Sequence, residues 1–313
     1  MIIGNVTLKN EYILAPMAGF TDEPFRLICS KMGAGMVCME MISAMAVTYK
    51  NVKTFEMLKI HPDESIVSLQ LFGHDPHIMA EAAKMIEEYP YDILDINMGC
   101  PVKKIVDNGE GSALMQDPLL AGRIIEAVVK ATKRPVSIKI RSGFDEEHIN
   151  AVEMAHVAYE SGAKAVAVHG RTRGQFYEGK ADWGIIQKVK ESVSIPVIGS
   201  GDVNSIDTAN AMKAETGADG IMIGRGARGN PWLFKSLSEG REYKPTKAEI
   251  CDMILNHLDL LVIAKDEYRA LREMRTHAAF YTAGMPNSAS FRREINQTET
   301  MEEFVDKVME IKD

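Results

Sequence analysis

Cysteine is scarce: only Cys29, Cys38, Cys100 and Cys251 occur in 313 residues. No two have Cys-x-x-Cys spacing and no histidine cluster accompanies them. A disulfide framework and a structural zinc site are thereby disfavoured, and no metal is expected. Long apolar runs are also missing, since none approaches the ~18 residues that cross a bilayer. Met1–Asn10 lacks a basic segment followed by an apolar core. No secretory signal or membrane partner is therefore expected, and the expected location is cytoplasmic. Nor is there an excess of positive charge, because 36 Lys and Arg against 44 Asp and Glu leave a net charge of −8. Bulk attraction to nucleic acid is disfavoured, which leaves room only for a local basic patch. The twenty methionines are scattered through apolar segments and read as flexible core filler.

What is present is a regular alternation. Short apolar runs at Tyr12–Met17, Gly35–Met41, Ile66–Phe72, Ile93–Met98, Val136–Ile140, Ala165–His169, Pro196–Gly199 and Gly220–Gly224 read as strands. Amphipathic stretches lie between them, among them Pro76–Glu88, Leu119–Thr132, Ile149–Ser161, Gly184–Lys190 and Ser205–Glu215. Strands alternating with helices indicate parallel βαβ units. Runs apolar on both faces suit strands covered outside by helices and inside by core. Eight units in this span fit a (β/α)8 TIM barrel, usually ~250 residues. A Rossmann sheet would want Gly-x-Gly-x-x-Gly after the first strand, and Ala15–Phe20 does not supply it. Beyond Trp232 the strands stop. Ile250–Lys265, Tyr268–Thr282, Ala289–Ile295 and Thr300–Ile311 read as helices, with Pro245–Glu249 as a helix start. The expected division is an α/β barrel over residues 1–241 and an all-helical domain over 242–313.

The carboxyl ends of barrel strands form the active-site face. There the first strand ends in Pro16-Met17-Ala18, and the third carries Gln70. The fourth ends in Asn97 and leads to Cys100, and the fifth carries Lys139 and Arg141. The sixth ends in His169-Gly170-Arg171, the seventh in Gly199-Ser200-Gly201-Asp202 and the eighth in Gly224-Arg225-Gly226. Loops after strands seven and eight often hold a phosphate on backbone N–H groups. Lys139 sits mid-strand, where a closed barrel offers no edge to snorkel over, so it is expected to face inward near an anion. His169 would then donate a hydrogen bond or carry charge. Phosphate loops, an inward lysine and a lone loop cysteine together suggest a flavin mononucleotide (FMN) barrel. A positive group at the flavin would favour its anionic reduced form. Cys100, a thiol of pKa ~8.5, would be mostly protonated and able to act as an acid.

The runs Ala15–Asp22, Asn97-Met98-Gly99-Cys100-Pro101, Lys139–Gly143, His169–Arg173, Gly201-Asp202-Val203, Gly224–Trp232 and Arg272–Arg275 with His277 make the chain recognisable. It resembles the tRNA-dihydrouridine synthases, most closely the bacterial B-type group, over nearly its whole length. The resemblance implies a flavin barrel followed by a helical tRNA-binding domain. The implied reaction reduces the C5=C6 bond of selected uridines in tRNA, with NADPH as electron source. Pro16, Met17, Ala18, Gln70, Lys139, His169, Ser200, Gly201, Asp202, Gly224 and Arg225 would contact FMN. Cys100 would give a proton to C5 as hydride passes from flavin N5 to C6. Asn97 and Arg141 would orient the uracil or flavin. Relatives commonly carry Asn where Ser200 stands, and a basic residue where Thr276 stands.

A base turned out of folded tRNA needs basic groups around it. Candidates are Lys103, Lys104, Arg171, Arg173, Arg269, Arg272, Arg275, Arg292 and Arg293, with Arg171, Arg272 and Arg275 the chosen substrate contacts. Arg269, Arg272 and Arg275 follow helical spacing and can share a face. No obligate protein partner is implied, and a monomer is expected. Two other readings stay open: an FMN barrel acting on a free pyrimidine or other small molecule, and a tRNA-binding protein without catalysis.

Overall fold

The computed structural model describes residues 1–312. Eight parallel strands close into a barrel in sequence order: β1 (Tyr12–Leu14), β2 (Met36–Ser43), β3 (Ile66–Phe72), β4 (Ile93–Met98), β5 (Val136–Arg141), β6 (Ala165–His169), β7 (Val197–Ser200) and β8 (Gly220–Ile223). β8 pairs with β1, Met222 opposite Ile13, and this pairing leaves no free edge. A two-stranded antiparallel ribbon, Ile2–Ile3 with Val6–Thr7, precedes β1. Its Ile3, with Leu8 just beyond, packs into the apolar floor of the barrel beside Ile13, Met36 and Ile93.

Caps explain where the outer helices begin. Asp75 accepts from His77 N and Ile78 N ahead of Pro76–Met85, and Asp117 accepts from Leu120 N ahead of Pro118–Ala131. Ser205 forms a capping box with Thr208 ahead of Ile206–Thr216. Each cap satisfies N–H groups that the first helical turn leaves open. Several elements escape the apolar periodicity, among them the N-terminal ribbon, the helices Glu23–Lys31 and Trp232–Glu239, and the short helices Ala44–Thr48, Val52–Glu56 and Lys103–Asp107. Glu23–Lys31 begins conventionally, with Asp22 accepting from Phe25 N and a proline in the first turn. β1 stops at Leu14 rather than Met17, because Pro16 has no N–H to continue a ladder. β2 runs on to Ser43 through a shift of register between Cys38 and Met41.

Strand pleating decides what enters the barrel. On β4 the inward residues are Ile93, Asp95 and Asn97, while Leu94, Ile96 and Met98 join the outer core. On β5 the outward Val136, Ile138 and Ile140 leave Ser137, Lys139 and Arg141 facing in. Successive residues of a strand point to opposite faces, so the two sets are fixed together. The interior is thus apolar below and polar above, whereas the sequence reads as apolar on both faces.

After Gly240 the chain forms four helices: Lys247–Ala264, Glu267–Tyr281, Ser288–Ile295 and Met301–Met309. Capping boxes at Thr246 with Glu249 and at Thr300 with Glu303 start the first and last. They share a core of Ile254, Leu258, Leu261, Met274, Ala278, Tyr281, Phe304 and Val308, into which Trp232 of the preceding barrel helix also packs. The seam with the barrel is aromatic. Phe20 meets His277 at a tilt with centroids 4.5 Å apart, Phe25 stacks on His257 at 5.8 Å, and Lys265 pairs with Asp22 at 2.7 Å. Among the described residues, no helix is long and apolar enough to cross a membrane.

Gly229 sits on this seam with φ +68°, and a Cβ there would lie 2.2 Å from the carbonyl carbon of Phe280. Both the left-handed backbone and the close approach demand glycine. Gly229→Ala is expected to lower stability by about 2–4 kcal/mol in urea unfolding. A loss below about 0.5 kcal/mol, the range of ordinary surface changes, would contradict this packing.

Candidate active site

At the carboxyl ends of the strands lies a cavity of about 730 Å³. The sequence-predicted residues Pro16, Met17, Ala18, Gln70, Asn97, Cys100, Lys139, Arg141, His169, Ser200, Gly201, Asp202, Gly224 and Arg225 all line it. Arg171 lies behind the wall, and Arg272 and Arg275 are on the helical tail.

A chain of side-chain hydrogen bonds runs up the inner wall from β5 to the Cys100 loop. Ser137 Oγ donates to Asp95 Oδ1 at 2.5 Å, and Gln70 Nε2 donates to Asp95 Oδ2 at 2.6 Å. Asn97 Nδ2 donates to Gln70 Oε1 at 2.7 Å. Asn97 Oδ1 in turn accepts from Cys100 N at 2.9 Å and Gly99 N at 3.2 Å. Burial pushes the Asp95 carboxyl above its ordinary range. The donors from Ser137 and Gln70 nevertheless occupy both its oxygens, which favours the ionised form. Because each amide has its other end engaged, Gln70 and Asn97 have one orientation apiece, and the Cys100 backbone is fixed by the second. From the other side, Ser112 Oγ and N both donate to Cys100 O, at 2.9 and 3.1 Å.

Cys100 itself is half-buried, and burial raises its thiol above the ordinary value against the pull of Arg141 and Lys139. It therefore holds its proton at neutral pH. Lys139 lies deep in the cavity between Asn97 and Ala167 on the neighbouring strands. Burial first, then Arg141, pushes its amine down from 10.5 to about 8. His169, opposite Ser200 on β7, is pushed down to about 2 by burial and by Lys139 and the nearby arginines. It is neutral, so of the two roles foreseen for it the charged one falls away. Its Nδ1 accepts from Arg171 N at 3.2 Å, which leaves the proton on Nε2 as a donor.

The loops after β7 and β8 are braced from behind. Arg171, only 2% exposed, donates to Glu178 O at 3.0 Å, Gly179 O at 2.6 Å and both Asp202 oxygens at 2.8 Å. Burial alone would raise the Asp202 carboxyl, but Ala181 N–H, Arg171 and Arg225 outweigh it and hold it below its ordinary value. Arg225 reaches Asp202 Oδ1 at 3.4 Å. Gly201 has φ +127°, and a Cβ there would lie 2.6 Å from that of Ala181. Ser200 closes β7, its carbonyl accepting from Gly170 N at 3.1 Å. Arg171, expected as a substrate contact, is instead spent on this loop.

Arg141 is likewise anchored, through Gly99 O at 2.8 Å, Thr172 O at 2.8 Å and Phe176 O at 2.9 Å. It and Arg225 flank the ring of Tyr177, at 5.8 and 4.9 Å. Tyr177, Met41, Asn204, Phe20 and Arg228 also line the cavity and are not singled out by sequence. Tyr177 and Asn204 belong to loops with no periodic pattern, and Met41 lies on β2 just past its shift of register. Phe20 and Arg228 fall inside the recognised runs but carry no role there. On the tail, Asp266 pairs with Arg269 and Glu273 with Lys265, so neither neutralises the exposed Arg272. Arg272 lies over the Tyr268 ring at 5.5 Å. Arg275 turns inward onto Thr298 O, so the three arginines do not form a uniform exposed row.

Lys139 gives a pH test. Its folded pKa lies below its unfolded one, so the unfolded chain binds more protons and stability rises with pH. The penalty is full below about pH 8 and is relieved as pH rises from about 8 toward 10.5. Without added ligand, Lys139→Met is expected to be about 2–3 kcal/mol more stable than wild type at pH 7, with the difference shrinking above pH 8. A variant equal to or less stable than wild type at pH 7 would contradict a desolvated ammonium.

The family model described as "Dihydrouridine synthase (Dus)" matches residues 13–313. A probable tRNA-dihydrouridine synthase of Rickettsia bellii is 42% identical over 314 residues, covering 98% of this chain and 96% of that protein. The tRNA-dihydrouridine synthase B of Vibrio cholerae is 40% identical over 311 residues, covering 98% and 97%. Among solved structures, histamine dehydrogenase from Rhizobium sp. 4-9 superposes with a TM-score of 0.60 at 15% identity, over 83% of this chain and 50% of that one. A 2-naphthoyl-CoA reductase complex gives 0.62 at 14% identity, over 77% and 52%. The chain spans about half the length of these two structures, and at such identity the likeness concerns the barrel fold alone. A family match from the first barrel strand to the last tail residue, and relatives matched end to end, mean that this chain belongs to the dihydrouridine synthase family.

Proposed function

We propose that the protein reduces the C5=C6 bond of specific uridines in tRNA to 5,6-dihydrouridine, as an FMN-dependent, NADPH-linked enzyme of the cytoplasm. The observation that carries this reading is Cys100, a protonated thiol on a rigid loop at the mouth of a cavity whose wall is cationic and whose floor is closed. Full-length similarity to proteins named tRNA-dihydrouridine synthases supports the substrate class.

The residues present fit FMN. The Lys139 ammonium, half-buried at the cavity wall, has no hydrogen bond or ion pair among the described residues, although a lysine inside a barrel is normally paired. An anionic cofactor in the same cavity would supply the missing partner. Gly224 lines the cavity, and a Cβ there would sit in van der Waals contact with Ala15 Cβ at 3.6 Å and Met17 Sδ at 3.7 Å. The backbone N–H groups of Gly201, Asp202 and Gly224, with the Arg225 guanidinium, would hold the phosphate, and Pro16, Met17, Ala18, Gln70, His169 and Ser200 the rest. When bound, FMN supplies the hydride for C6 and is reloaded by NADPH.

The chain's own residues do the rest. Cys100 holds the proton that goes to C5 and becomes a thiolate, which Arg141 and Lys139 stabilise electrostatically. Asn97 keeps the Cys100 backbone in place, and His169 Nε2–H supplies a neutral donor. A closed, partly desolvated cavity strengthens each of these interactions. The uridine must leave its stack to enter. Arg272, exposed, without an ion pair among the described residues and donating to Tyr268 Oη at 3.1 Å, is the tail's contact to the RNA backbone. Arg275 acts by holding the last helices in place through Thr298. We assign the barrel to residues 1–241 and the tRNA-binding helices to 242–313.

The test is single turnover with reduced, FMN-loaded protein and unmodified tRNA. Cys100→Ala should slow dihydrouridine formation by about 10²-fold or more, while NADPH still reduces its flavin at the wild-type rate. Equal rates in the two proteins would remove Cys100 from the reaction.

A further inference from the structure

Three arginines line the cavity: Arg141, Arg225 and Arg228. Arg141 is anchored on backbone carbonyls and Arg225 turns to Asp202. Arg228 is different. Its Nε is buried without a hydrogen-bond partner among the described residues. The groups that act on its charge are Arg225, which repels it, and Tyr177. No carboxylate of a described residue pairs with it.

Two aromatic rings nevertheless hold it. The guanidinium carbon lies 4.6 Å from the ring centroid of Phe280 and 5.6 Å from that of Phe20. Phe20 belongs to the loop after β1 and also lines the cavity. Phe280 belongs to the tail helix Glu267–Tyr281. The two rings meet edge to face at 5.2 Å, so the clamp spans the seam between barrel and tail. Aromatic rings attract a guanidinium but leave its N–H groups without conventional hydrogen-bond acceptors. A cation held between two rings, partly desolvated and without an anion, is prepared for a bidentate oxyanion.

We propose that Arg228 binds a backbone phosphate of the RNA strand next to the base that enters the cavity. This rests on the tRNA reading above. A strand that delivers one base into the barrel must lay its flanking phosphates on the rim, and the tail side of that rim is where Arg228 stands. Phosphate contacts of this kind position a nucleic acid without reading sequence. The same phosphate chemistry could be offered by FMN, but Gly201, Asp202 and Arg225 already surround that end of the cavity.

The test uses full-length, FMN-loaded protein and unmodified tRNA, comparing wild type with Arg228→Gln and Arg228→Lys. Binding is titrated across salt concentrations, and FMN affinity is measured separately by flavin fluorescence. Arg228→Gln should weaken tRNA binding about tenfold and lower the slope of log affinity against log salt by about 0.7–1. Arg228→Lys should keep the slope, and FMN affinity should be unchanged in both. Lost FMN affinity with an unchanged tRNA slope would mean that the phosphate held is the cofactor's. No change in either would reduce Arg228 to packing at the seam, and either outcome overturns the proposal. A wild type that binds tRNA with salt dependence but forms no dihydrouridine would sink the catalytic reading and leave this one standing.

Discussion

Every second residue of a strand in a closed barrel must face the interior, and this constraint shapes the whole active site. There is no edge over which a long polar side chain can escape to water. Asp95, Asn97, Ser137, Lys139 and Arg141 therefore stack inward on adjacent strands, and each needs a partner inside. The carboxylate of Asp95 meets that need for Ser137 and Gln70, and the chain of amides continues through Asn97 to the backbone of Cys100. Burying such groups is tolerable only because the network is nearly complete. Lys139 is the member left unpaired, which is why its position speaks for an anionic ligand.

The helical tail is tied to this site rather than hung from it. Phe20, on the loop that carries Met17 and Ala18, packs against His277 and Phe280 of the tail. His257 and His277 lie 4.4 Å apart inside the seam. Burial holds His277 down at about 4 and His257 well below its ordinary value, so both are neutral and behave as aromatic packing. Gly229 allows the loop after β8 to touch the Phe280 backbone. The cavity rim and the surface of the tail are thereby held in one arrangement, as a macromolecular substrate contacting both would require.

The barrel was legible because its signals are local. Short apolar runs alternating with amphipathic helical stretches fix most elements to within a few residues. The inward set at Lys139 and His169 followed from strand ends alone. Arg171 and Arg275 read as substrate contacts, but nothing local in sequence shows that Asp202 or the Thr298 carbonyl comes back to meet them. Tyr177, Asn204 and Arg228 acquire meaning only when distant loops converge. The charge of the tail face was similarly hidden, since Glu273 looks like a neighbour of Arg272 by spacing but pairs with Lys265.

The central claim is that this cavity brings a flavin, a protonated thiol and a tRNA uridine together. It is tested most directly by mass spectrometry of unmodified tRNA after incubation with FMN-loaded protein and NADPH in D2O. The account predicts a reduced uracil at discrete positions, carrying a solvent-derived deuterium at C5 whether or not C6 is also labelled. A flavin-loaded protein that leaves tRNA unchanged, and reduces or oxidises a free pyrimidine instead, would contradict it.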